Sequence, residues 1–220
     1  MIPKSKLLLA LRGVRLTNAE GERTEPIELE IHAAERIQVR CDDSGWRDDL
    51  TAILTSLRAP DEGALEEVEP VIVQTDLRLK EKLDLNRTLR DYVNSADAPE
   101  HVWLRQRRRA LWVLIDLLGI APSDMRRALK MESPATVERY WALRFLVSGA
   151  ALLIGSDMFR LQDPHIRDAL AQRWPDIPGS VIALAEAADL PGAVDTVVHI
   201  DAQGHVTIAA APDEAGAADA

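Results

Sequence analysis

The residues with the most chemical potential in this chain stand where short apolar runs end. Residues 35–41, ERIQVRC, place Ile37, Val39 and Cys41 on one face of an expected strand. The apolar positions Leu50, Ile53, Leu54 and Leu57 mark a helix that stops before Pro60. Between them lies an eight-residue stretch, Cys41-Asp42-Asp43-Ser44-Gly45-Trp46-Arg47-Asp48. A strand, a loop and a helix in this order can aim consecutive backbone N–H groups and a helix N-terminus at a phosphate. This loop offers one glycine (Gly45), one cation (Arg47) and, with Asp49, four carboxylates. Three readings stay open. It is a polar turn whose Asp48 and Asp49 favour the positive end of the helix, a phosphate site of unusual geometry, or a divalent-metal loop.

Other polar residues sit in comparable places. Gln74 follows the apolar Val71, Ile72 and Val73, Ser133 stands before Pro134 as a cap-then-proline helix start, and Asp157 follows the apolar 152–154 across Gly155 and Ser156. Glu186 lies in the run SVIALAEAADL. A carboxylate just past a strand can hold a metal ion, activate a water, or only shape a turn. The five histidines have no zinc spacing, and the single cysteine, Cys41, allows no intrachain disulfide.

These residues need a scaffold, and the pattern is α/β. Strands are expected at 7–16, 27–31, 35–41, 71–73, 152–154, 181–184, 197–200 and 206–208. Helices are expected at 50–57, around 88–92, from a cap at Asp97 to Gly119, from Ser133 to about Ser148, and at 165–174. Residues 75–94 are otherwise polar and read as a connection, and the last nine residues, PDEAGAADA, form an acidic tail. The strand 36–40, RIQVR, alternates in polarity where a doubly covered parallel strand is continuously apolar.

With these elements in order, the chain resembles the nucleotide-binding subunit of ATP-binding cassette (ABC) transporters over about residues 7–208. The resemblance implies a P-loop-like mixed sheet with an antiparallel N-terminal part and a helical lobe at about 88–148, in one domain of residues 1–210 with a tail at 211–220. In that family the eight-residue loop is a glycine-rich nest ending in lysine and a hydroxyl residue. Here Cys41, Ser44 and Trp46 take glycine positions, Arg47 the lysine position and Asp48 the hydroxyl position. Gln74 matches the metal-sensing glutamine, and Ser133 is what remains of the signature Leu-Ser-Gly-Gly-Gln. Counting from Asp163-Pro164 puts Ser156 at the magnesium aspartate and Asp157 at the general base; a slip of one residue moves Asp157 to magnesium and Met158 to the base. Glu186 takes the place of the histidine that touches the γ-phosphate, with Asp195 nine positions on.

The resemblance and its altered motifs imply a catalytically weak or inactive cassette, a docking or regulatory component of a membrane transport complex. The alternatives are an active ATPase completed by partner-supplied groups, and an unrelated protein binding another phosphorylated ligand. No cofactor is expected to be required, and Mg-ATP is expected to bind at about millimolar or weaker. The expected partners are a transmembrane subunit and a second cassette, at the cytoplasmic face of a membrane. The net charge of −10 disfavours nucleic acid. The arginine run 105, 107, 108 and 109 reads as a solvated helix face, or as a contact for a partner or an anionic lipid. Trp46 and Trp103 are expected to be exposed, Arg47 to pair with Asp42 or Asp43, and Asp48 and Asp49 to accept the helix N–H groups. Leu77, Leu79, Leu83 and Leu85 are expected to form an apolar footprint beside Gln74.

Overall fold

Alternation decides the first sheet. In β2 (Ile27–His32) the apolar Ile27, Leu29 and Ile31 point inward and Glu28 and Glu30 outward. It pairs antiparallel with β1 (Leu7–Val14), which also pairs with β4 (Ala64–Glu67), giving the order β2-β1-β4. The strand β4 escapes the sequence pattern because its residues, ALEE, lie on a solvated edge. The computed structural model describes residues 6–68, 71–81, 83–94, 108–177, 179–186 and 189–211.

The second sheet has six strands in the order β5-β6-β7-β3-β8-β9. These are β3 (Arg36–Cys41), β5 (Val73–Thr75), β6 (Leu152–Gly155), β7 (Ser180–Ala183), β8 (Thr196–Ile200) and β9 (Val206–Ala210). All pairs are parallel except β8 with β9. The expected adjacency of 152–154, 181–184 and the 35–39 strand therefore holds.

One apolar cluster fills the space between this sheet, the first sheet and α1 (Ser44–Leu54). The other packs the opposite face against α2 (Asp76–Glu81), α4 (Arg108–Leu117), α5 (Pro134–Leu146) and α6 (Pro164–Arg173). A further short helix, α3 (Leu89–Asn94), lies near the expected 88–92. The start of the helix expected from Asp97, together with Trp103, Arg105, Arg107 and the tail 212–220, lies outside the described residues.

The alternation of β3 has a structural cause. Ile37 and Val39 face α1, whereas buried Arg36 and Gln38 face the other way. The Arg36 guanidinium donates to the carbonyls of Trp174 (3.1 Å), Ile177 (2.7 Å) and Gly179 (2.7 Å). Gln38 Nε2 donates to the carbonyl of Ala185 at 3.0 Å. Backbone from the turns beside β7 thus covers this strand, and carbonyls need donors where a helix would want methyl groups.

The expectation for Trp46 reverses, and a different tryptophan is the exposed one. Trp46 is 1% exposed, and Trp112 on the outer face of α4 is 54% exposed. Two further corrections concern helices. The helix α2 stands in the stretch read as a polar connection, and α1 begins at Ser44 and not near Asp49.

Candidate functional site

The start of α1 changes the geometry of the eight-residue stretch. Only Asp42 and Asp43 link β3 to the helix, so Ser44 to Asp48 are helical. Asp43 is the N-cap, with extended backbone and its Oδ1 accepting from Gly45 N–H at 2.6 Å. Its Oδ2 accepts from Asn18 Nδ2 at 3.2 Å, and Asn18 Oδ1 accepts from the N–H of Glu20 and Glu22. The 17–24 loop therefore lies against the first turn of the helix. A Cβ at position 45 would stand 3.0 Å from Asp43 Oδ1 and 3.1 Å from Asn18 Cα, which is why the one glycine of the stretch is here.

Trp46 points into the apolar cluster between the sheets, its Nε1 buried without an acceptor. Arg47 lies 3.6 Å from the exposed Asp48, a correction to the expected pairing with Asp42 or Asp43. Asp49 is not a cap either. Its Oδ2 accepts from Thr17 N–H (2.8 Å) and from Arg58 Nη2 (2.7 Å), tying α1 to the connection between β1 and β2 and to its own C-terminal loop. Asp42 faces His199 Nε2 at 3.4 Å across β3 and β8. Cys41 is half-buried, and burial pushes its thiol up to about 12, so it is inert as a nucleophile.

At the far side of the sheet, Gln74 is the middle residue of β5, opposite Leu153, and its Oε1 accepts from Ser148 Oγ at 2.6 Å. The residue that follows the strand is Asp76, which sequence reasoning missed. It is 2% exposed. Its Oδ2 accepts from the N–H groups of Ser156 (2.8 Å) and Met158 (2.9 Å), and its Oδ1 from Leu77 N–H (2.8 Å). Its carbonyl accepts from Trp141 Nε1 at 2.6 Å. Burial raises the carboxyl above the usual range, and nearby Asp157 adds to the rise, although three N–H donors favour the charge. Thr75 Oγ1 accepts from Arg78 N–H, a cap three residues ahead that could have marked α2 in the sequence.

The remaining positions are simply placed. Ser156 ends the apolar run of β6, and half-buried Asp157 opens a one-turn 3-10 helix, Asp157–Arg160. Glu186 is exposed, three residues past β7. Asp195 Oδ2 accepts from Arg36 N–H at 2.7 Å, and Asp163 caps α6 while pairing with Arg139 at 2.8 Å. Ser133 Oγ accepts from Thr136 N–H at 3.2 Å as the exposed cap of α5. Sheet order thus brings Asp76, then Ser156 and Asp157, then Glu186, then the 41–48 stretch side by side along the carboxyl ends of β5, β6, β7 and β3. That is where open parallel sheets bind ligands. Ser133 stands apart in the helical cluster.

This topology matches solved structures over nearly its whole length. A metal-chelate type ABC transporter in an inward-facing conformation superposes with a TM-score of 0.66 at 11% identity, covering 93% of this chain and 84% of that one. The fold is that of an ABC transporter nucleotide-binding cassette. A dimeric bacterial ABC transporter cassette gives a TM-score of 0.60 at 13% identity, with 92% and 98% covered. A bacterial Atm1-family ABC exporter with ATP bound gives 0.66 at 12% identity, with 94% of this chain matching 40% of that one. No protein-family model matches the chain, and no curated protein matches it in sequence.

Within the cassette fold, the apolar footprint expected beside Gln74 divides. Leu79 and Leu83 are buried, while Leu77 and Leu85 are 47% and 46% exposed. Among the described residues no helix is long and apolar enough to cross a membrane, and no three His, Cys, Asp or Glu side chains are grouped to hold a metal ion.

Proposed function

We propose that this chain is a docking or regulatory cassette of a membrane transport complex, one that does not hydrolyse ATP by itself. The observation that carries this reading is the junction after β3. A phosphate nest requires a run of free N–H groups around an open turn. Here two residues link strand and helix, the Asp43 carboxylate takes one first-turn N–H, that of Gly45, and Trp46 is built into the core. A phosphate brought to that turn meets Asp42, Asp43 and Asp48, and Glu186 on the neighbouring strand end adds a fourth carboxylate. Mg-ATP therefore does not fit the residues at Cys41, Ser44, Gly45, Trp46, Arg47 and Asp48, and no hydrolytic step is assigned to Asp157 or Glu186.

What remains serviceable is surface. Leu77 and Leu85, which follow Gln74 in the sequence, are exposed, whereas Leu79 and Leu83 between them are buried. This is the patch we assign to a membrane subunit at the cytoplasmic face, with a second cassette as a further partner. Residues 1–210 act as one domain in this reading.

Calorimetry of Mg-ATP against the purified chain tests it. The expected dissociation constant is about 1 mM or weaker. A one-to-one complex tighter than about 10 μM overturns the reading in favour of an active ATPase. Copurification with membranes should be lost in Leu77→Glu/Leu85→Glu while the soluble fold persists.

A further inference from the structure

The chain leaves the six-stranded sheet after β5 and returns to it at β6, and the helices α2 to α5 lie between these two points. Crossings of this kind are where a helical lobe can turn against a sheet, because a few residues at the ends of elements absorb hinge motion. The strand β5 is a weak anchor by itself. It has three residues, stands at the sheet edge and pairs with β6 alone. Backbone pairing would therefore leave a hinge at Gln74 to Asp76 and another at Val147 to Ala151.

Side chains close both. Trp141, Arg144 and Ser148 follow one another at spacings of three and four, so they share one stripe of α5 and its closing turn, where Ser148 N–H donates to the Phe145 carbonyl at 3.2 Å. Trp141 Nε1 donates to the Asp76 carbonyl at 2.6 Å and Arg144 Nη1 to the Leu79 carbonyl at 3.0 Å. Ser148 Oγ donates to Gln74 Oε1 at 2.6 Å, which joins the outgoing crossing to the returning one. The same hydroxyl accepts from Ala150 N–H at 3.2 Å and so fixes the approach to β6. Trp141 and Ser148 are each 1% exposed, so water does not compete for their bonds. From the sheet side, the Asp76 carboxylate holds the Ser156 and Met158 amides beyond β6. The segment from β5 into α2 is thus gripped from the lobe and from the sheet at once. Apolar packing agrees, because Trp141, Leu143 and Leu146 of the lobe share one cluster with Leu153, Val181 and Ala183 of the sheet.

We propose that this clamp bolts the helical lobe to the sheet, so that the two open as a single cooperative unit and no nucleotide or partner is needed to set their angle. Gln74 acts here as a fixed tie, its acceptor given to Ser148. The exposed Leu77 stands on the clamped segment, so a load applied there moves lobe and sheet together. The clamp is a property of the isolated chain and holds whether or not ATP is bound or hydrolysed.

Native-state hydrogen exchange on the full chain, followed residue by residue against rising denaturant, tests this. The slowest amides of α5, between Tyr140 and Phe145, and those of β3, β6 and β7 should converge on one isotherm. The double variant Trp141→Phe/Ser148→Ala keeps an aromatic ring in the core and removes two of the donors. Its α5 amides should become at least about tenfold less protected than its sheet amides. Trp141→Phe alone is the second variant should the pair fail to fold, with an expected separation of about threefold to tenfold. Lobe amides that open well below the sheet in wild type overturn the proposal. So do variants that lower both sets equally and leave them on one isotherm, which would make these residues ordinary core contacts.

Discussion

Two strand ends of the same sheet solve one problem in opposite ways. After β3 and after β5 the chain turns straight into a helix, and in both places an aspartate takes backbone N–H groups that would otherwise lack acceptors. Asp43 does so at a partly solvated turn, for one amide of its own helix, steadied by Asn18. Asp76 does so almost fully buried, for three amides, two of them from the turn after β6. The first carboxylate finishes a helix. The second fastens the helical lobe, through Trp141 on its carbonyl, to the end of a neighbouring strand. Local chemistry is the same, and burial decides whether it is a cap or a joint.

Substitutions can break that contrast, and the largest effect belongs to what lies under the first turn. Trp46→Ala empties a fully buried site in the core between the sheets, and chemical denaturation should show a loss of about 3–5 kcal/mol. Asp76→Ala leaves the Ser156 and Met158 amides without an acceptor, and the same measurement should show about 2–4 kcal/mol. Asp43→Ala, with solvent able to replace the lost bond, should cost about 0.5–2 kcal/mol. Asp48→Asn, on a side chain that is 76% exposed, should stay within about 0.5 kcal/mol of wild type. A cost for Asp43→Ala equal to that of Asp76→Ala would erase the distinction between cap and joint.

Acidity sharpens it further. Because the folded Asp76 carboxyl titrates above its ordinary value of 3.8, the folded protein holds that proton more tightly than the unfolded chain does. The resulting stabilisation is complete below the ordinary value and is lost as pH rises through the raised one. Denaturation midpoints of wild type and Asp76→Asn should therefore draw closer as pH increases through that window. A gap that instead widens with pH would mean that the three amide donors outweigh burial.

Most of the architecture is legible in the sequence, and the failures have physical reasons. The apolar runs of β6, β7 and β8 and the alternation of β2 place these strands within one or two residues, and Ser133-Pro134 marks the start of α5. The strand β4 is hidden because an edge strand need not be apolar, and α2 because six residues show little period. At the site, the position of the 41–48 stretch is legible but its shape is not. Family spacing supplies a loop, whereas Asp43 and the buried face of Trp46 supply a helix beginning with Ser44. The periodic signal is present, since Trp46, Leu50, Ile53 and Leu54 share one helix face. Asp76 escapes notice because an aspartate after a strand ordinarily faces water, and nothing local announces the two amides it meets from a turn eighty residues away.

The burial of Trp46 also bears on which changes this lineage can make. Replacing the indole by glycine would place a helix-weakening residue over a large void, before any anion site existed to offset the loss. Opening the turn would further require moving Asn18 off Gly45 and releasing the Asp43 cap, each with its own cost. Every single step toward an open nest lowers stability and returns no binding. The junction is therefore locked: its exposed carboxylates can vary freely, but no single substitution leads toward a phosphate-gripping turn.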